Sequence, residues 1–170
     1  GDIGHIDSEG FLHITDRKKD LIITSGGKNV ATQKIENLAR SLPPITQFVV
    51  HGDRRNYLTA VLTLDREAVI KFANDNQVLF SEYRELVKSA KILSWIQKLV
   101  DQVNQQLPSF ETIKKFLILA EDFTVETGEL TPSLKVKRNV VNRKYQAEFD
   151  RMYAAGAGAA TGAPVSGELA

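Results

Sequence analysis

The 170-residue chain has no cysteine, one methionine and one tryptophan. Without cysteine it can form neither a disulfide framework nor a thiolate metal site. No apolar run approaches the roughly 20 residues that a membrane-spanning helix needs, and no secretory-signal pattern opens the chain. An excess of either charge is also missing. The 22 basic and 21 acidic residues leave a net charge of +1, which gives no general pull toward nucleic acid or an anionic surface. His5, His13 and His51 lack the i, i+4 spacing of a helical metal site, so no metal site is expected on these histidines and they read as structural. What is present is ordinary for a globular domain: 42% hydrophobic and 25% charged residues, enough to bury a core. Gly1 opens the chain and Met152 is the only methionine, so the expectation is a piece of a longer protein.

Patterning then places the elements. Asp7-Ser8-Glu9-Gly10 supplies turn chemistry for a hairpin over 5–15. Residues 21–24 are β-rich and run into Ser25-Gly26-Gly27-Lys28-Asn29, where two glycines favour a turn or a close backbone approach. Ile35, Leu38, Ala39 and Leu42 recur at helical spacing from Thr32 until Pro43-Pro44. Strands are expected over 47–51 and 58–64, paired antiparallel, and another over 115–120. Helices are expected over 66–76, 82–107 and 140–153. The 82–107 helix is the longest and carries a stripe from Leu86 to Leu107. From Ala154 the sequence is low in complexity and offers no large apolar side chain to pack until Val165. The predicted class is therefore α+β, a small antiparallel sheet flanked by helices. The expected domain covers 1–153 and the expected flexible tail 154–170.

Three clusters could carry chemistry, the third being the opening Gly1-Asp2. Asp16-Arg17-Lys18-Lys19-Asp20 leads into the glycine turn. As a charge pattern it reads as a solvated face, whereas the glycine pair with Lys28 could cradle phosphate. It is not a Walker loop, because the first glycine is missing and Asn29 stands where magnesium would need a hydroxyl. The second cluster, Thr127 to Arg138, is a proline-containing loop bearing Lys135, Lys137 and Arg138. It reads either as a basic helix start on the surface or as a mobile loop that delivers one ammonium to a phosphate or carboxylate.

With the opening Gly1-Asp2-Ile3-Gly4, the stretches DRKKDLIITSGGKNVATQKIE (16–36) and LTPSLKVKR (130–138) resemble the adenylate-forming superfamily, and within it the long-chain fatty acyl-CoA synthetases. Ordered motifs over roughly 1–153 carry this resemblance. It implies the C-terminal lid domain of an AMP-forming ligase that converts fatty acid, ATP and CoA to acyl-CoA, AMP and pyrophosphate. Asp2 and Arg17 match residues that contact ATP, and Lys19 matches the hinge about which the lid turns. Gly26, Gly27 and Lys28 match the turn at the CoA passage. Lys135 matches the lysine that bridges carboxylate and ATP phosphates. Magnesium and the fatty-acid pocket are implied to lie in the N-terminal adenylation domain of the same chain, the lid's partner, so the lid alone is expected to be inactive. No nucleic-acid partner is implied. A cytoplasmic location follows as an expectation, with peripheral association at the inner face of a membrane left open. Two departures stand out. Thr32 replaces a common proline before the helix, where threonine can cap, and Leu134 replaces a common glycine before the lysine. Two alternatives stay open: the lid of an acyl-AMP ligase that loads a carrier protein, and a free-standing binding or regulatory module with the lid fold.

Overall fold

The computed structural model describes residues 2–17 and 20–154, with the backbone alone at 2, 3 and 14–17. The expected hinge residue Lys19 and the expected tail from 155 onward lie outside the described residues. Ala154, the first residue of that expected tail, is still helical.

Strands β1 (Asp2–Ile6) and β2 (Leu12–Arg17) form the predicted hairpin. Its turn is closed by Asp7, whose Oδ1 accepts from the amides of Glu9 (2.9 Å) and Phe11 (3.0 Å). Among the described residues, neither hydrophobic core draws a side chain from this hairpin. A second small sheet pairs β3 (Leu21–Ile23) with β4 (Asn29–Ala31) and leads directly into α1 (Thr32–Arg40).

The central sheet has the order β5-β6-β7, from β5 (Ile45–His51), β6 (Leu58–Leu64) and β7 (Ile113–Ile118). Every residue of β6 is buried, as expected for a strand covered on both faces. The period-two alternation sorts its neighbours into two layers. Phe48, Val50, Leu58, Ala60 and Leu62 face one core, built with α1, α2 (Arg66–Asp75), α3 (Tyr83–Leu86) and α4 (Ala90–Asn104). Val49 and Val61 face the other, built with α5 (Arg138–Lys144) and α6 (Gln146–Ala154) through Val141, Phe149 and Met152.

The α+β class holds, but three expectations need correction. The central sheet is not purely antiparallel: β5 and β6 pair antiparallel, whereas β6 and β7 are parallel. The chain between β6 and β7 runs through α2, α3 and α4, and a crossover of that length returns the chain in the same direction. The expected helix over 82–107 is two helices. Ser89 interrupts it as the N-cap of α4, accepting from the Ile92 amide at 3.4 Å, and serine is a favoured cap for that reason. The expected helix over 140–153 likewise divides at Tyr145, whose amide still donates to the Val141 carbonyl and whose carbonyl accepts from Phe149.

Candidate functional site

Lys135 stands at the end of a short two-sided stem. Leu130 and Val136 form an antiparallel bridge at its base. The Thr131 amide donates to the Lys135 carbonyl (2.8 Å), the Leu134 amide donates to the Thr131 carbonyl (2.8 Å), and the Lys135 amide donates to Thr131 Oγ1 (3.0 Å). Closing so tight a turn forces Leu134 to φ 61°, a left-handed conformation that costs a side-chain-bearing residue about 1–2 kcal/mol. Glycine would adopt it freely. Leu134 is 68% exposed and Lys135 is exposed. Among the described residues no carboxylate pairs with the Lys135 ammonium.

Two ionic anchors hold the stem. On one side the Glu129 carboxylate is almost fully buried and accepts from Lys144 Nζ and the Thr127 hydroxyl, while its backbone carbonyl accepts from the Lys137 amide at 2.7 Å. Burial pushes the Glu129 carboxyl up, but the hydrogen bonds from Lys144 and Thr127 outweigh it and hold the group below the usual range. On the other side Arg138 meets Glu36 of α1 in a fork, Nη1 to Oε1 at 2.8 Å and Nη2 to Oε2 at 3.0 Å. Arg138 Nη1 also donates to the Val50 carbonyl at 2.9 Å, and Glu36 Oε1 accepts from the Val50 amide at 2.9 Å. Lys135, Arg138, Glu36, Asp20, Arg40 and Phe48 line a recess of about 280 Å³.

Arg138 is therefore not part of a solvated basic helix start. Its side chain is only 17% exposed. Sequence reasoning missed its partner Glu36 and the role of Glu129. A readable signal existed for Glu36, because it shares the buried stripe of α1 with Thr32, Ile35 and Ala39. A glutamate on such a stripe requires a partner.

The glycine turn is built differently. Thr24 and Lys28 close it: the Thr24 amide donates to the Lys28 carbonyl (3.0 Å), the Lys28 amide to Thr24 Oγ1 (3.2 Å), and the Gly27 amide to the Thr24 carbonyl (2.9 Å). Gly27 has φ +76°, with no atom within 4 Å of where a Cβ would stand, and Gly26 is nearly as open. Gly27 is thus the position whose backbone demands glycine. The loop between β5 and β6 supports the turn through the Ser25 amide on the Arg55 carbonyl (3.0 Å) and Ser25 Oγ on Asn56 Oδ1 (2.6 Å). Lys28 Nζ lies 5.7 Å from the centre of the Phe110 ring. A slender group could approach this backbone without meeting a side chain.

Asp2 and Arg17 sit opposite one another in the register of the β1–β2 hairpin, and their side chains lie outside the described residues, as does Lys19. Thr32 does not cap α1. The N-cap is Ala31, which makes no side-chain cap, and the Thr32 hydroxyl donates instead to the Asp20 carbonyl at 2.8 Å. His51 stacks on Phe149 at 4.0 Å and shares a hydrogen bond with Asn142, and its burial lowers its pKa. Among the described residues no group of three or more His, Asp and Glu side chains could hold a metal ion, and no helix is long and apolar enough to cross a membrane.

A lid-like α+β body thus carries an ammonium at the end of an anchored stem and a bare glycine backbone on a separate turn. Such an arrangement suits a domain that serves an anionic reaction centre. Residues 19–157 match the AMP-binding enzyme C-terminal domain, and the chain belongs to that family. It is 41% identical over 154 residues to the long-chain-fatty-acid–CoA ligase FadD15 of Mycobacterium tuberculosis, a match covering 90% of this chain and 26% of that protein. It is 37% identical over 171 residues to the long-chain-fatty-acid–CoA ligase ACSBG2 of Mus musculus, again covering 90% of this chain and 26% of the relative. Among solved structures, the A domain of a carboxylic acid reductase from Segniliparus rugosus, in complex with AMP and a co-purified carboxylic acid, superposes with a TM-score of 0.70 at 28% identity, covering 91% of this chain and 23% of that one. The chain spans about a quarter of the length of these relatives.

Proposed function

We propose that this chain is the lid of a long-chain fatty acid–CoA ligase and that it works only beside an adenylation domain. The observation that carries the reading is the exposed Lys135 ammonium on its anchored stem, and the long-chain ligases among the relatives support it. In the first half-reaction a carboxylate oxygen of the fatty acid attacks the α-phosphorus of ATP and pyrophosphate leaves. The reacting groups are all anionic, so an ammonium aimed at them stabilises the transition state. Lys135 supplies it. Asp2 and Arg17 contact ATP, and magnesium, when bound in the adenylation domain, would supply charge neutralisation at the phosphates. In the second half-reaction the CoA sulfur attacks the acyl carbonyl carbon, AMP leaves, and the thiol proton passes to solvent. Rotation about Lys19 removes Lys135 and brings in Gly26, Gly27 and Lys28, whose bare turn admits the pantetheine arm.

The β1–β2 hairpin supports a partner domain. Among the described residues it adds no side chain to either core, and it exposes Ile6 (69%), Phe11 (65%) and Leu12 (67%), an apolar surface suited to burial against that domain. In a full-length ligase carrying this chain, Lys135→Ala should slow acyl-adenylate formation by about 10²- to 10³-fold. Thioester formation from preformed acyl-adenylate should suffer much less. Equal loss in both half-reactions overturns the reading. Supplying CoA and a phosphopantetheinyl carrier protein side by side identifies the acceptor, with turnover expected on CoA.

A further inference from the structure

Arg138 lies three residues beyond Lys135, immediately after the Lys137 amide that closes the stem onto Glu129. Its guanidinium gathers groups from separate parts of the fold. These are the Glu36 carboxylate on α1, the Val50 carbonyl on β5, and Asp20 Oδ1, 3.7 Å from Nε. The fork with Glu36 is bidentate, a geometry that fixes orientation as well as distance. The same carboxylate is tied to the Val50 amide, so it cannot swing away without breaking a second bond. Arg138 Nε is buried and has no hydrogen-bond partner among the described residues. Asp20 Oδ1 lies 3.7 Å from it, and the Asp20 backbone is pinned to the start of α1 by the Thr32 hydroxyl. The stem that bears Lys135 is thereby referenced to α1 and β5, the body of the domain. A purely surface charge would need none of these partners, whereas the Arg138 and Glu36 side chains are only 17% and 12% exposed.

We propose that Arg138, held by Glu36 and facing Asp20, is a positioning residue that aims Lys135 for acyl-adenylate formation. The proposal rests on the role given to Lys135 above. Arg138 does not touch substrate. It acts through the direction of the stem, and a displacement of about 1 Å at a reacting group can cost on the order of 100-fold in rate.

The test uses a full-length ligase carrying this chain and measures its two half-reactions separately, in the wild-type and Lys135→Ala backgrounds. Arg138→Lys keeps the charge and loses the fork. It should slow pyrophosphate release by about 10- to 100-fold and change thioester formation from preformed acyl-adenylate by less than about 3-fold. In the Lys135→Ala background it should add no further loss, because there is no ammonium left to aim. Glu36→Gln keeps an acceptor for the Val50 amide and serves as the gentler variant if Arg138→Lys does not fold. It should follow the same pattern with a smaller loss. Equal loss in both half-reactions, or a loss that multiplies the Lys135→Ala defect, overturns the proposal and leaves Arg138 a purely structural residue. If Lys135→Ala itself leaves acyl-adenylate formation intact, the role of Lys135 falls and the aiming role falls with it. That result is recognisable without any Arg138 variant.

Discussion

The Lys135 stem and the Gly26-Gly27 turn are both exposed, and both end in a residue with positive φ beside the group of interest. They are held in opposite ways. Ions anchor the stem at two points, the nearly buried Glu129 with Lys144 and the forked Arg138 with Glu36. Main-chain bonds, the Lys28 amide on Thr24 Oγ1 and one side-chain pair with the neighbouring loop hold the glycine turn. The difference fits what each would deliver under the proposed function. A charge works only when aimed, so its support must resist rotation. A backbone that admits a slender group needs only to stay clear, and local bonds suffice.

Substitutions at four positions break or sharpen this comparison. Lys135→Ala gives the largest effect, the selective loss of acyl-adenylate formation stated above. Gly27→Val should give its mirror image. Stopped-flow measurement of thioester formation from preformed acyl-adenylate should fall by about 100-fold, while pyrophosphate release keeps most of its rate. Loss confined to the first half-reaction would refute the division of labour. The valine also carries a left-handed cost of about 1–2 kcal/mol, so its melting point must be measured alongside.

Next comes the Glu129 anchor. Glu129→Ala leaves the Lys144 ammonium without its partner. Lys144 is 42% exposed and water compensates in part, so thermal unfolding should report a loss of about 1–3 kcal/mol. The sign with pH follows from the depressed Glu129 pKa. The anchor's contribution is present above the unfolded carboxylate value of 4.5 and is lost as pH falls through the lower folded value. Lys144 is raised by its bond to Glu129. Its share is present below 10.5 and is lost as pH rises through the higher folded value. A melting curve against pH should therefore flatten on the acid side in Glu129→Gln. An unchanged acid slope would remove Glu129 from the account.

The smallest effect is expected at Leu134. Leu134→Gly relieves the left-handed strain but frees the unfolded chain, so the net gain in stability should be no more than about 1 kcal/mol. Amide hydrogen exchange over 131–135 should quicken slightly. A clear destabilisation would mean that the exposed leucine makes a contact that outweighs its strain.

The hairpin turn at Asp7, the glycine turn and the β5–β6 pair were legible because each depends on neighbours in sequence. The Lys135 motif was legible through resemblance, and its residue types fit the chemistry. Ser89 was visible and could have divided the 82–107 helix, since a serine followed by an apolar stripe is a start signal, but the continuous spacing of Leu86, Ala90 and Leu93 masked it. The parallel course of β7 was not legible. An isolated run of β-formers carries no direction.

The sequence by itself determined the α+β class and the turn at Gly26-Gly27, and through resemblance it pointed to Lys135. The first two follow from local periodicity and from a residue with no substitute at a given φ. Only the tertiary structure decided that Arg138 is an anchor rather than a surface charge, and that Glu129 is a buried ion. It alone also paired β7 parallel to β6. Glu36 and Arg138 lie 102 residues apart in the chain. Their fork exists because α1 and the stem both pack beside β5, and no window of sequence contains that meeting.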